Sequence, residues 1–325
     1  MLIDQTRLPG ELLPLSMKSV RQLVEAILSL RVRGAPALGA AGAYGIALAA
    51  DLCPAGSAPE VMADLEVAAE MIRGARPTAV NLSWGVDRAL AAAARASAGT
   101  AEDVREAALA EAEAIAEEDI AVNRALGRIG AKLLDDGDTV LTHCNAGRLA
   151  CVGWGTALGV VRSAVAAGKQ ISVYACETRP LHQGSRLTAW ELSEDKISVT
   201  LICDSMSGSL MRKGRIDKVI VGADRITRDA VFNKIGTYSH AVLARHHRVP
   251  FYVAAPLSTF DRQHEESEIV VEERSAEEIT TLAGVRLAPQ GIDVYNPAFD
   301  ATPLELVSGL ITEKGVFRPP LMPWL

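Results

Sequence analysis

Cys144 ends a short apolar run, Asp138-Thr-Val-Leu-Thr-His-Cys-Asn-Ala-Gly147, in which a strand leads directly into a glycine-ended turn. A thiol in that position reads in three ways: a nucleophile, a proton carrier, or a small buried apolar residue. Backbone N–H groups of Asn145-Ala-Gly147, with a helix expected from Cys151 to Ala167, would favour the thiolate. The run Asp217-Lys-Val-Ile-Val-Gly-Ala-Asp224 has the same grammar and presents a carboxyl, suited either to capping a helix or to giving up a proton. Asn233-Lys234 stands just before Ile235-Gly-Thr237, where an amide, an ammonium and a helix start suit an oxyanion or phosphate; the plainer reading is a solvated helix entrance. Gln183 lies just past the strand expected at Ile171–Ala175, on the same rim as Cys144, with an amide able to orient sugar hydroxyls or to sit in an ordinary loop. Arg33 and Arg76 each occupy a Gly- or Pro-marked turn between helices, from which either could reach an anionic ligand. Cys53, Cys151, Cys176 and Cys203 read as packing.

The elements that must hold these side chains change character along the chain. Apolar residues at Val20, Leu23, Val24, Ile27 and Leu30 keep a helical stripe, and Arg33-Gly34-Ala35 turns it into a second helix that opens with Pro36 and small residues. Ser57 with Glu60 predicts a capping box for a helix to Gly74, Asn81 predicts a cap for another through Arg95, and Thr100 with Asp103 opens an Ala/Glu-rich helix to about Leu134. Residues 1–135 therefore read as one helical domain with a short extended start. From 136 to 325 the pattern becomes β-rich runs at Thr139–His143, Ile171–Ala175, Val199–Ile202, Lys218–Gly222 and Phe251–Ala254, spaced for β-α-β crossovers and a mainly parallel sheet. Glu265–Glu278 reads as a charge-rich insertion, and Thr302-Pro-Leu304 as the start of a last short helix before a proline-rich tail.

Composition excludes several classes of function. A chain of 325 residues has room for two domains on the usual prior of about 100–200 residues each. Hydrophobic residues make up 49%, yet no run approaches the ~20 uninterrupted apolar residues of a membrane span. Met1-Leu-Ile-Asp-Gln also lacks a basic-then-apolar leader, so a cytoplasmic protein without a membrane partner is expected. A net charge of -7 argues against nucleic acid as the main partner. Five cysteines at irregular spacing, with no C-x-x-C pair, predict reduced thiols and no metal. Gly153-Trp-Gly-Thr-Ala-Leu-Gly159 imitates a dinucleotide fingerprint, but its glycines come some ten residues after the strand and Trp154 would crowd a pyrophosphate.

Taken in order, Arg33-Gly-Ala-Pro-Ala37, Arg76-Pro-Thr-Ala-Val-Asn-Leu82, Thr142-His-Cys-Asn-Ala-Gly147, Tyr174-Ala-Cys-Glu-Thr-Arg-Pro180, Gln183-Gly-Ser-Arg-Leu-Thr-Ala-Trp190, Gly222-Ala-Asp-Arg-Ile226 and Asn233-Lys-Ile-Gly-Thr237 resemble the methylthioribose-1-phosphate isomerase family. The wider superfamily also holds ribose-1,5-bisphosphate isomerases and regulatory subunits of translation initiation factor 2B, and Cys144 together with Asp224 points to the isomerase branch. The resemblance implies an α/β fold, a helical N-terminal domain (1–135) followed by a Rossmann-like, mainly parallel sheet domain (136–325) that is catalytic. It also implies a homodimer acting on a small-molecule sugar phosphate in methionine salvage, with no metal or nucleotide cofactor. Carried over, it makes Asp224 the proton donor and Cys144 the partner that stabilises or relays the transferring proton, with Arg33, Gly34, Ala35, Arg76, Gln183, Asn233 and Lys234 as substrate contacts. The 5-substituent is left open between methylthio and methyl, as is transfer of a proton or a hydride; a ribose-1,5-bisphosphate isomerase or a noncatalytic regulatory subunit would share the fold.

The chemistry suits these residues. An aldose with phosphate on its anomeric oxygen cannot open spontaneously to an aldehyde, so an acid must protonate the ring oxygen while hydrogen moves from C2 to C1. Asp224 would have to be protonated near neutral pH, which an apolar strand such as Val219-Ile-Val221 helps to supply.

Overall fold

The computed structural model describes residues 1–77 and 79–320. Thr78, inside the Arg76–Leu82 motif, and the end of the proline-rich tail, 321–325, lie outside the described residues. The chain divides into two compact units, one of residues 1–123 with 148–155 and one of residues 124–147 with 156–325.

The first unit opens with a small antiparallel pair, β1 (Leu2–Ile3) and β2 (Pro14–Leu15), and is otherwise helical. α1 (Val20–Leu28) is capped by Ser19, whose Oγ accepts from the Gln22 N–H at 3.2 Å; it stops two residues earlier than its stripe predicts, where Leu30 turns left-handed. α2 (Ala35–Leu52), α3 (Ala58–Ala75) and α4 (Val80–Ala96) pack through small residues. A Cβ on Gly85 of α4 would overlap the carbonyl oxygen of Gly39 on α2, so these two backbones touch because neither carries a side chain. α2 has the length and apolarity of a membrane span, but Ala43, Ile46 and Ala50 are fully buried in the unit's own core. Two expected caps differ. Ser57 and Glu60 bond side chain to side chain at 2.6 Å and leave the helix backbone uncapped, and Asn81 lies inside α4, buried, with Ala79 at the cap position. Thr100 and Asp103 do make the reciprocal box at the start of α5 (Ala101–Gly130), whose last residues from Arg124 belong to the second unit.

In the second unit β3 (Thr139–Thr142), α6 (Ala157–Ala166), β4 (Ser172–Cys176), α7 (Ala189–Glu194), β5 (Ser198–Ile202), α8 (Ser207–Arg212) and β6 (Lys218–Val221) alternate as expected. They are followed by β7 (Arg225–Ile226), β8 (Ala230–Lys234), α9 (Thr237–His247) and β9 (Phe251–Ala254). After a short helix α10 (Glu277–Thr280) and the hairpin β10 (Thr281–Leu282) and β11 (Val285–Arg286) come β12 (Phe299–Pro303), β13 (Gly309–Thr312) and β14 (Gly315–Phe317). The main sheet has the order β14-β13-β9-β6-β3-β4-β5, parallel except for β14. Val219, Ile220 and Val221 of β6 and all of β9 are buried, as strands covered on both faces must be. A second sheet, β12-β8-β7, is antiparallel.

Two expectations are corrected here. The helix expected from Cys151 begins at Ala157, because Trp154 and Gly155 both have positive φ (67° and 85°) and break the path. The helix expected at Thr302-Pro-Leu304 is an edge strand ending at Pro303, then a single 3₁₀ turn and the β13–β14 hairpin; proline is tolerated at a sheet edge, where no N–H is needed.

Candidate active site

Strand order reverses between β3 and β6. From β3 the chain builds outward through β4 and β5 on one side, and from β6 through β9 and β13 on the other. Ligands of open α/β sheets bind outside the carboxyl ends of strands at such a switch point. Cys144 follows β3 and Asp224 follows β6, and the two strands are direct parallel partners with Val140 opposite Lys218. Beyond them the loops stay close: a Cβ on Gly222 would come within 2.7 Å of the Ala146 Cβ.

Cys144 is half-buried and left-handed, at φ 63°. A non-glycine residue persists there only when its surroundings hold it. Thr178 Oγ1 accepts from the Cys144 N–H at 2.9 Å, and Thr188 Oγ1 donates to the Cys144 carbonyl at 2.6 Å. Thr178 is itself left-handed, at φ 66°, and is pinned by Asp204, which accepts from the N–H groups of Thr178 and Arg179 at 2.8 Å each. Asn145 donates to Glu191 Oε1 at 2.9 Å, Arg162 donates to Glu191 Oε2 at 2.7 Å, and Arg162 also holds Asp195. Glu191 is fully buried, and the cysteine's turn rests on this ion pair. The helix expected to polarise the thiol is used otherwise, since the Ala146 carbonyl accepts the N–H groups of Thr156 and Leu158 at the start of α6.

Gln183 is buried, and its Oε1 has no hydrogen-bond partner among the described residues. An acceptor so placed calls for a donor, and a sugar hydroxyl is one. The next five residues, Gly184–Thr188, form a turn of π-helix, a feature concentrated at functional sites. Asn233 and Lys234, both buried, end β8; Asn233 Nδ2 donates to Thr237 Oγ1 at 3.1 Å and Lys234 Nζ to the Ala298 carbonyl at 2.8 Å. The helix start beyond them already holds a carboxylate: Asp300 accepts from the N–H groups of Gly236 and Tyr238 at 2.7 and 3.1 Å. Burial pushes the Asp300 carboxyl up to about 6. Asp224 is half-buried, and its N–H donates to the Phe232 carbonyl at 2.9 Å, tying the β6 end to β8.

Arg33, Gly34, Ala35 and Arg76 belong to the first unit. Gly34, at φ 96°, precedes α2, which begins at Ala35, and a Cβ there would press on Ala150. Arg76 follows α3, and its carbonyl accepts the Ala79 N–H at 3.0 Å. Both arginines are half-buried.

Sequence reasoning missed the supports: Thr178, Thr188, Glu191, Arg162 and Asp204. It also missed a buried group of three potential metal ligands, His143, Cys176 and His240, whose donor atoms lie within 4.8 Å of one another. His143 was visible beside Cys144, but nothing local marks its partners.

A fold of this order, with a cysteine and an aspartate at its switch point, defines a Rossmann-like α/β protein with a polar strand-end site. The chain belongs to the initiation factor 2 subunit family, whose model matches residues 31–319. Among curated relatives, a methylthioribose-1-phosphate isomerase from Syntrophotalea carbinolica is 54% identical over 98% of this chain and 93% of its own. The crystal structure of 5-methylthioribose 1-phosphate isomerase from Pyrococcus horikoshii OT3 is 43% identical, with a TM-score of 0.93 over 98% of this chain and 90% of that one. A crystal structure described as translation initiation factor eIF-2B, subunit delta, from A. fulgidus is 60% identical, with a TM-score of 0.91 over 98% of this chain and 93% of that one.

Proposed function

We propose that the protein is an aldose–ketose isomerase converting 5-methylthioribose 1-phosphate to 5-methylthioribulose 1-phosphate, a step of methionine salvage. The observation that carries this reading is the placement of Cys144 and Asp224 on adjacent strand ends at the point of strand-order reversal. Asp224 gives its proton to the ring oxygen and the C1–O bond opens. Hydrogen passes from C2 to C1, the C2 hydroxyl returns a proton, and Cys144 serves that transfer. Gln183 accepts from a sugar hydroxyl through its unpartnered Oε1. Asn233 and Lys234, with Arg33, Gly34, Ala35 and Arg76 on the strength of the resemblance, contact the substrate. No cofactor or metal takes part in this scheme; a cytoplasmic homodimer is proposed with it.

A turnover assay on 5-methylthioribose 1-phosphate, 5-deoxyribose 1-phosphate and ribose 1,5-bisphosphate tests the reading and ranks the substituents. Asp224→Asn should cut turnover by the ~10²–10⁴ typical of general acid catalysis while the substrate still binds. Cys144→Ser should do the same, and the double variant should be hardly worse than either, since residues acting as a unit are non-additive. The similarity to the A. fulgidus protein named as translation initiation factor eIF-2B, subunit delta, favours a second reading, a subunit of such a factor. Absence of turnover on all three sugars would remove the isomerase reading.

A further inference from the structure

His143 precedes Cys144 directly, and its ring is almost wholly buried. Its Nε2 lies 2.9 Å from the carbonyl oxygen of Ile235, the residue after Asn233-Lys234. A carbonyl only accepts, so His143 Nε2 carries the hydrogen and, in the neutral ring, Nδ1 is bare. His240 Nε2, on α9, lies 3.2 Å from that bare Nδ1 and must donate to it. His240 Nδ1 is then bare in turn and accepts the hydroxyl hydrogen of Ser207, at the start of α8, whose Oγ lies 3.0 Å from it and 3.2 Å from the competing Asp204 carbonyl. The Ile235 carbonyl thus fixes the sense of the step between the two histidines, and the bare His240 Nδ1 that this leaves draws the Ser207 hydroxyl away from the Asp204 carbonyl. The rings meet edge to face, centroids 4.7 Å apart. Gly236 leaves room for this: a Cβ there would stand 3.2 Å from the His143 ring.

The series joins two sheets. Cys144 hangs from β3 in the main sheet, and Asn233 and Lys234 end β8 in the antiparallel one. We propose that Ser207, His240 and His143 are positioning residues, a one-way hydrogen-bond chain ending on the Ile235 carbonyl that sets Cys144 at a fixed distance from Asn233-Lys234. This rests on the reading of those residues as the site. Burial keeps both rings neutral, bringing His143 down to about 4 and His240 to about 3; the Lys234 charge pushes His143 the same way and Asp204 pulls His240 back. Cys176 adjoins the pair, its Sγ and the ring nitrogens lying within 4.8 Å of one another. Burial and the Asp204 and Glu177 charges push its thiol up, so it stays a thiol beside the two nitrogens, which satisfy each other.

The test is tautomer-resolved NMR on the full chain labelled with ¹⁵N-histidine, joined to kinetics. His143 and His240 should both be neutral Nε2–H tautomers at pH 7. His240→Phe, which cannot donate, should lose about 10- to 100-fold in kcat, the cost of a misplaced reacting group. His240→Gln, whose amide nitrogen stands where Nε2 stood, should recover most of it. A charged or Nδ1–H His240, a stoichiometric metal ion in the purified protein, or native kcat in His240→Phe would each overturn the proposal. The tautomers do not depend on the reaction. If they stand while Cys144→Ser keeps full turnover, the assignment of the site has failed, and the positioning role with it.

Discussion

Removing Glu191 should loosen the turn that holds Cys144, and the size of the effect follows from burial. The carboxylate is fully buried; Arg162 is 7% exposed and Asp195 19%. Glu191→Ala takes one acceptor from the Arg162 guanidinium and one from the Asn145 amide. Breaking a buried pair by deleting one partner costs about 3–5 kcal/mol. Arg162 keeps Asp195, to which its Nε donates at 2.7 Å, so the expectation is the lower end, about 3 kcal/mol. Glu191→Gln keeps the volume and an acceptor for Asn145 but sets an amide NH2 against the Arg162 guanidinium, losing the charge and that acceptor, which should cost about 1.5–3 kcal/mol, the worth of one hydrogen bond to a charged group. Two compact units make a single unfolding midpoint ambiguous, so the measurement is hydrogen exchange of the segment spanning β3 and Cys144, with urea unfolding beside it. Turnover should fall more in Glu191→Ala than in Glu191→Gln. Equal effects of the two substitutions, or a loss below about 1 kcal/mol in both, would refute the argument that a buried charge pair supports the turn.

Gly147→Ala should reproduce part of that loss, because its Cβ would collide with the Glu191 carboxylate, while Gly85→Ala should destabilise the first unit by about 1–3 kcal/mol by forcing α2 and α4 apart, both read by thermal unfolding. Arg76→Ala should raise KM with little change in stability, by the ~1.5–3 kcal/mol of a lost charge-assisted contact; an unchanged KM removes Arg76 from the site. His143 and His240 have folded values, about 4 and about 3, below the ordinary 6.5, so the unfolded chain binds more protons and stability present above pH 6.5 is lost as pH falls. Asp119 and Asp300, raised to about 6 from 3.8, act in the opposite direction between those values. His240→Gln should therefore lessen the acid-side loss by about 1.4 kcal/mol per pH unit between pH 6 and 4, measured against the unaltered protein by urea unfolding.

The strands around the site were legible because each is a short apolar run, and a covered parallel sheet demands such runs. Four of the five expected runs moved by only a residue at one or both ends, and Phe251–Ala254 did not move. What reads poorly is anything decided by a distant partner. Asn233-Lys234 announces itself next to a helix start, yet the carboxylate that caps that helix, Asp300, lies 64 residues from Gly236, and no local pattern predicts that the seat is taken. Thr302-Pro-Leu304 has the composition of a helix entry, and only the pairing of Thr302 with Val231 makes it a strand. Glu191 is an ordinary acidic residue on a short helix until the fold sets it under Asn145, 46 positions away. Side chains with chemistry of their own are disclosed by their type and their neighbourhood. Residues that hold them are chosen for fit to one partner, and a single sequence records no partner; for that reason Cys144 could be named beforehand, whereas the threonines that keep its backbone left-handed could not.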